Sequence, residues 1–143
     1  MSHTVLMSAE EINLFLDAEF PQIHHGGRTY TVERTDQTGV LVRMDYHEKH
    51  IRPGGTLSGP SMMALADLAM YAAILSRIGP VALAVTTNLN INFLRKPAQR
   101  DLLGEAKILK LGKRLAVGEV AIYSDGEEDL VAHVTSTYSI PPR

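Results

Sequence analysis

The chain has no cysteine, no tryptophan and only three phenylalanines among its 143 residues. Without cysteine there is no disulfide framework, no thiol nucleophile and no cysteine-based zinc site. Excess charge is also missing. Fourteen Lys and Arg against sixteen Asp and Glu leave a net charge of −2, which argues against nucleic-acid binding driven by bulk electrostatics. The N-terminus lacks a basic region followed by an apolar core, so no signal peptide is expected and a cytoplasmic location is the default. There is no internal repeat, linker or low-complexity tract, and a chain of this length is expected to be one domain, 1–143, with a real core.

What stands out is one long apolar stretch, Ser58 to Leu75. Ser58 or Gly59 suits a helix N-cap, Pro60 suits the first turn, and Gly79-Pro80 stops the run. Ala, Leu and Met dominate between them, the composition of a helix buried on most sides. The run reads as too polar and too interrupted for a membrane span of about 20 consecutive apolar residues, so no membrane partner is expected. Asp67 breaks it, with no charged neighbour before Arg77. An ionised Asp is rarely buried without a partner. Either Asp67 lies on a thin exposed stripe or caps a neighbouring loop's amides, or it is a carboxylate placed in a protected pocket to handle a proton or a water.

Around this helix the remaining elements are legible. Ser8-Ala9-Glu10-Glu11 is a capping box, followed by Ile12, Phe15, Leu16 and Phe20 at helical spacing until Pro21, giving an N-terminal helix over about 8–20 with no identifiable chemistry. His24-His25-Gly26-Gly27 reads as a glycine turn rather than a metal site, since adjacent residues point differently and no carboxylate falls at ligand spacing. Tyr30–Thr35 and Gly39–Tyr46 predict a hairpin, and 47–57 a loop with solvated histidines. Three strand-like runs, Val81–Leu94, Asp101–Leu111 and Arg114–Ser124, follow the helix, and Asp129–Ser139 is the last strand. Leu111-Gly112-Lys113 forms a tight hairpin. Strands, one apolar helix and more strands predict an α+β protein with the helix packed on one face of an antiparallel sheet. The long edge of Val81–Leu94 is an aggregation hazard unless a second copy covers it.

This layout resembles the hotdog-fold thioesterase superfamily, and specifically the phenylacetate-pathway (PaaI-like) and 4-hydroxybenzoyl-CoA thioesterases, over about residues 30–140. The resemblance is carried by Gly59 with Asp67 eight positions later, by Leu89-Asn90-Ile91-Asn92-Phe93-Leu94-Arg95 with Pro97, and by Lys110-Leu111-Gly112-Lys113-Arg114-Leu115-Ala116. It implies a curved sheet wrapped around the long helix, a homodimer with a continuous sheet that often pairs into a dimer of dimers, and active sites that draw on both chains. It implies hydrolysis of an acyl-CoA thioester to a carboxylic acid and free coenzyme A, with no cofactor. The family's His-Gly-Gly at the helix entrance is matched by Ser58-Gly59-Pro60, and the Asn six residues earlier by Arg52. Ser58 lacks an imidazole, Pro60 lacks an N–H, and Arg52 is bulkier and charged. By this resemblance Asp67 activates water or attacks the thioester, Gly59 N–H stabilises the oxyanion, and a hydroxyl from Thr86 or Thr87 orients the water. Arg52 and Ser58 adjoin the carbonyl site, and Arg95, Lys96, Lys113 and Arg114 (with Arg100) meet the phosphates of coenzyme A if several converge. Two other readings stand beside it. One is a non-catalytic acyl-CoA-binding module that kept the fold. The other is a hotdog hydratase, which would need a histidine paired with an acid, and the central helix offers none.

Overall fold

The computed structural model describes residues 4–24 and 27–142. Its centre is the helix α2, Gly59–Ile78, with Ser58 as N-cap accepting from the Ser61 amide. By length and composition α2 is apolar enough to cross a membrane, which corrects the expectation that it is too polar. Its apolar surface is instead taken up by the protein, with every residue from Leu68 to Ser76 buried. Each fully buried Leu, Ile or Met here contributes about 1.5–3 kcal/mol of hydrophobic stabilisation. Ala69, Ala72 and Ala73 are buried with the larger side chains. The helix ends at Gly79, whose φ of 87° and ψ of −169° lie in a region open essentially to glycine alone.

Six antiparallel strands surround α2: β1 Tyr30–Thr35, β2 Val40–Met44, β3 Val85–Phe93, β4 Leu102–Leu111, β5 Leu115–Ser124 and β6 Ala132–Ser139. Their order across the sheet is β1-β2-β4-β5-β6-β3. This is the hotdog arrangement. Strand alternation makes it work: Val40, Val42 and Met44 turn inward on β2, as do Val134, Ser136 and Tyr138 on β6. On the outer side Arg43 joins Glu33, Asp101 and Asp125 at 2.7–2.9 Å, tying β2 to β1 and to the segments flanking β4 and β5.

The N-terminal helix α1, Ala9–Glu19, carries both hydrogen bonds of its capping box and buries Ile12 and Leu16. A short 3-10 turn, Pro21–His24, follows, with His24 Nδ1 accepting from the Thr29 amide at 3.1 Å. His25 and Gly26, on which the glycine-turn reading falls, lie outside the described residues.

Boundaries move where the chain changes direction. The run expected as a strand from Val81 begins only at Val85, because residues 82–83 form a turn ahead of it. The Ala84 amide bonds the Val81 carbonyl across that turn. The expected loop 47–57 contains a 3-10 turn, Glu48–His50, and an isolated bridge between Ile51 and Leu57. His50 is buried rather than solvated. Burial, then the nearby Lys49 charge, holds its imidazole below the usual histidine range.

The sheet ends at β3, which pairs only with β6 and is exposed or half-exposed at every position. Val85, Phe93 and Leu94 stand out there.

Candidate active site

Asp67 lies two turns into α2, half-buried and without a charged partner among the described residues. Its partners are hydroxyls. The Thr86 hydroxyl donates to Asp67 Oδ1 at 2.5 Å, and the Tyr138 hydroxyl stands 2.8 Å from the same oxygen. Tyr138 is also 2.9 Å from the carbonyl oxygen of Asp67 itself. No donor among the described residues reaches Oδ2. No backbone amide among them binds the carboxylate either, so Asp67 is not a loop cap.

The Tyr138 ring is buried and stacks on Tyr71, with centroids 6.2 Å apart and planes at 18°. Tyr71 sits one turn beyond Asp67 on α2 and donates its hydroxyl to the Ala82 carbonyl at 3.1 Å. Burial, then the adjacent Asp67 charge, pushes the Tyr138 phenol well above its usual range, so it remains a protonated donor.

Of the two threonines singled out in the sequence, the structure brings Thr86 to Asp67 and turns Thr87 away, its hydroxyl donating to the Thr137 carbonyl. A bulge decides this. Leu89, Ile91 and Phe93 pair with the inward Ser136, Val134 and Ala132, and unbroken alternation from them would point Thr87 inward. The β3–β6 register shifts between Thr86 and Asn88, which sets Thr86 opposite Tyr138 and re-aims the inward side chain by one residue.

Asp67 opens onto a cavity of about 630 Å³. Its wall is mainly apolar or aromatic, including Leu68, Tyr71, Ala84 and Tyr30. Phe20 and Ile23 also line it, so the N-terminal segment, expected to carry no chemistry, forms part of this wall.

Gly59 is elsewhere. Eight residues separate it from Asp67, about 12 Å along the helix axis at 1.5 Å per residue. It borders a second cavity of about 430 Å³ with Arg52, Arg95, Lys96, Phe93 and Pro97. As the first helical residue its N–H points out of the helix end, and no acceptor among the described residues takes it. The Ser58 hydroxyl is engaged in capping, 2.7 Å from the Ser61 hydroxyl. Arg95 pairs with the exposed Asp129 at 3.3 Å. Lys113 lines a different cavity with Arg77 and Ile78, at the opposite end of α2, and Arg114 is its exposed neighbour. The five cations considered for phosphate binding therefore do not converge within one chain: 30 Å of helix separates the two groups, at about 1.5 Å for each of 20 residues. Arg100 is a third direction, donating to the Asp125 carbonyl.

Tyr138 was not among the residues singled out from the sequence. The signal was present: an inward-facing tyrosine on a strand needs a partner for its hydroxyl, and Asp67 needed a donor. Matching the two required knowing that β6 crosses the middle of α2.

The profile of the thioesterase superfamily matches residues 54–131, more than half of the chain and including both Gly59 and Asp67. The chain belongs to the thioesterase superfamily. A provisionally named thioesterase from Silicibacter sp. TM1040 has a solved structure that superposes with a TM-score of 0.88 at 45% identity, covering 98% of this chain and 96% of that one. A protein of Saccharolobus solfataricus, provisionally named an esterase, is 29% identical over 135 residues, 94% of this chain and 81% of its own. The phenylacetic acid degradation protein PaaI of Thermus thermophilus, solved as a mutant, shares the fold with a TM-score of 0.69 at 23% identity, covering 90% of this chain and 99% of that one. A hydrolase of the thioesterase type is thereby supported, and superfamily membership agrees with the resemblance read from Gly59, Asp67 and the β3 motif.

Proposed function

We propose that this thioesterase-superfamily protein hydrolyses acyl-CoA thioesters at a site completed by a second copy of the chain. The observation that carries the reading is Asp67: a carboxylate held on one oxygen by two hydroxyls, with the other unpartnered among the described residues, on the wall of a largely apolar cavity. In the proposed reaction a water attacks the thioester carbonyl carbon and gives its proton to Asp67 Oδ2. The carbonyl oxygen becomes an oxyanion on the Gly59 N–H, a donor at a helix N-terminus. The tetrahedral intermediate collapses, the C–S bond breaks, and the coenzyme A thiolate leaves and takes up the proton. The sequence also allows direct attack by the carboxylate, with an anhydride that water then opens.

Both groups must reach one carbonyl, within roughly 3 Å each. About 12 Å of helix separates them in one chain, so the Gly59 N–H must come from another copy. Pairing across the open β3 edge supplies it: a two-fold axis beside β3 sets the start of one α2 against the middle of the other. Arg52, Arg95 and Lys96 then flank the Gly59 end, where the phosphates of coenzyme A would meet positive charge. Sedimentation at micromolar concentration should show a dimer or a dimer of dimers, and a well-folded monomer would overturn the arrangement.

Ser58 and Pro60 favour a second reading, a non-catalytic acyl-CoA-binding module, since they replace two groups of the family's helix entrance. Thiol release from a panel of aromatic and aliphatic acyl-CoAs separates the two. The protein has no cysteine, so a thiol-reactive dye sees only released coenzyme A. Turnover of at least one acyl-CoA is expected. Saturable acyl-CoA binding without thiol release would put the binding module in its place.

A further inference from the structure

We propose that Tyr138 is a positioning residue for the hydrolysis, its hydroxyl acting with that of Thr86 to clamp Asp67 so that Oδ2 alone addresses the reacting water. This rests on the reading of Asp67 as the group that activates water or attacks.

An Asp on one helix facing an open cavity is free to rotate about two side-chain bonds, and rotation displaces both carboxylate oxygens. Here one oxygen is fixed from two strands, Thr86 on β3 at 2.5 Å and Tyr138 on β6 at 2.8 Å. Two anchors from different elements fix a direction where one would leave a pivot. The anchors are themselves held. The Tyr138 ring is 3% exposed and stacked on Tyr71, which is in turn tied to the Ala82 carbonyl. The same phenol hydroxyl also lies 2.9 Å from the Asp67 carbonyl oxygen, so its one proton is shared in a three-centre bond that faces the helix backbone and the carboxylate together. Thr86 faces Asp67 only because the β3 bulge re-phases the strand. Such bulges recur where a strand must aim one side chain.

The benefit to the reaction is orientation. A misplacement of about 1 Å at a reacting group can cost about 100-fold in rate. Tyr138 touches neither the water nor the substrate in this scheme. It is a buried donor whose proton stays in place, so it stabilises one carboxylate orientation without exchanging protons with the substrate.

Three variants test the clamp on the best acyl-CoA from the panel: Tyr138→Phe, Thr86→Val and Asp67→Asn, with Thr86→Ser as the conservative rescue. Tyr138→Phe keeps the ring, the stacking and the burial and removes only the hydroxyl. The expected result is a fall in kcat of about 10- to 100-fold with KM within about twofold, in a variant whose circular dichroism matches the parent. Thr86→Val should behave likewise, and Thr86→Ser should recover most of the loss. A structural role alone predicts a lower melting temperature with unchanged kcat per folded molecule. If Asp67→Asn abolishes turnover while Tyr138→Phe and Thr86→Val keep parental kcat, the clamp is wrong and the catalytic reading of Asp67 stands. If folded Asp67→Asn turns over normally, the reading beneath the clamp fails and takes the clamp with it. Should Tyr138→Phe fail to fold, the Thr86 pair decides: a loss on Val restored by Ser upholds the clamp, and no loss on Val overturns it.

Discussion

Replacing Asp67 with asparagine removes a charge at almost constant shape, and the structure sets what should follow. The amide oxygen can occupy the Oδ1 position and still accept from Thr86 and Tyr138. The amide nitrogen then takes the Oδ2 position, where no protein donor among the described residues is displaced. Two effects on stability oppose each other. Hydrogen bonds to a charged acceptor contribute about 1.5–3 kcal/mol against about 0.5–1.5 for neutral ones, so the two clamp bonds weaken by roughly 1 kcal/mol each. Against this, a half-buried carboxylate without a cationic partner no longer has to be kept from water. The net change should stay within about 2 kcal/mol, or roughly 6 °C in melting temperature for a chain of this size. Turnover should behave quite differently. A general base is worth about 100- to 10,000-fold, so its loss raises the barrier by roughly 3–5 kcal/mol. The assay is paired: thermal melting by circular dichroism, and thiol release from the best acyl-CoA. A folded variant with near-parental turnover would refute the mechanism and leave the acyl-CoA-binding module as the better reading.

Three further expectations address other parts of the molecule. A side chain at Gly59 would place Cβ 3.2 Å from the tip of the half-exposed Phe93 ring, the flexible end of a side chain; Gly59→Val keeps the N–H but crowds the space a carbonyl needs to reach it, so the variant should fold yet lose at least about tenfold in turnover, and intact turnover would show that no substrate carbonyl approaches Gly59 so closely. At Gly118 a Cβ would lie 2.5 Å from the Met70 sulfur and 2.7 Å from the Lys107 carbonyl oxygen, a backbone atom that cannot yield; Gly118→Ala should destabilise by about 1–3 kcal/mol, and an unchanged denaturant midpoint would contradict the packing of α2 on β5. His50 is held below its ordinary value near 6.5 by burial, so the unfolded chain takes the proton more readily. The stability associated with neutral His50 is thus complete above about pH 6.5 and is lost as pH falls from there through the folded value; His50→Phe should flatten the melting profile over that window, and an unaltered slope would argue against the burial.

How much of this was readable in advance is clearest at the two ends of the clamp. Asp67 announces itself because a charge inside an apolar helical run has no cheap explanation. Tyr138 does not, because a tyrosine in a strand is ordinary and its partner lies 71 residues away in the chain. Thr86 and Thr87 show the limit most sharply. Both residues are candidates, and alternation counted back from Leu89 favours Thr87, which does not meet Asp67. One bulged position, set by how β3 lies against β6, exchanges them.

The elements and the available chemistry are legible in the residues alone. Helix α2, its caps, the α+β order and the absence of thiol chemistry follow from local propensity, periodicity and composition, which act within a few residues. Which groups meet is a matter of how the strands and helices pack. That packing joined Tyr138 and Thr86 to Asp67, made a cavity wall of Phe20 and Ile23, and sent Lys113 and Arg114 to the far end of the helix from Arg95 and Lys96. Those outcomes depend on strand register and helix length, and a shift of one residue in a strand or one turn in a helix redirects a side chain without changing the pattern that encodes the element.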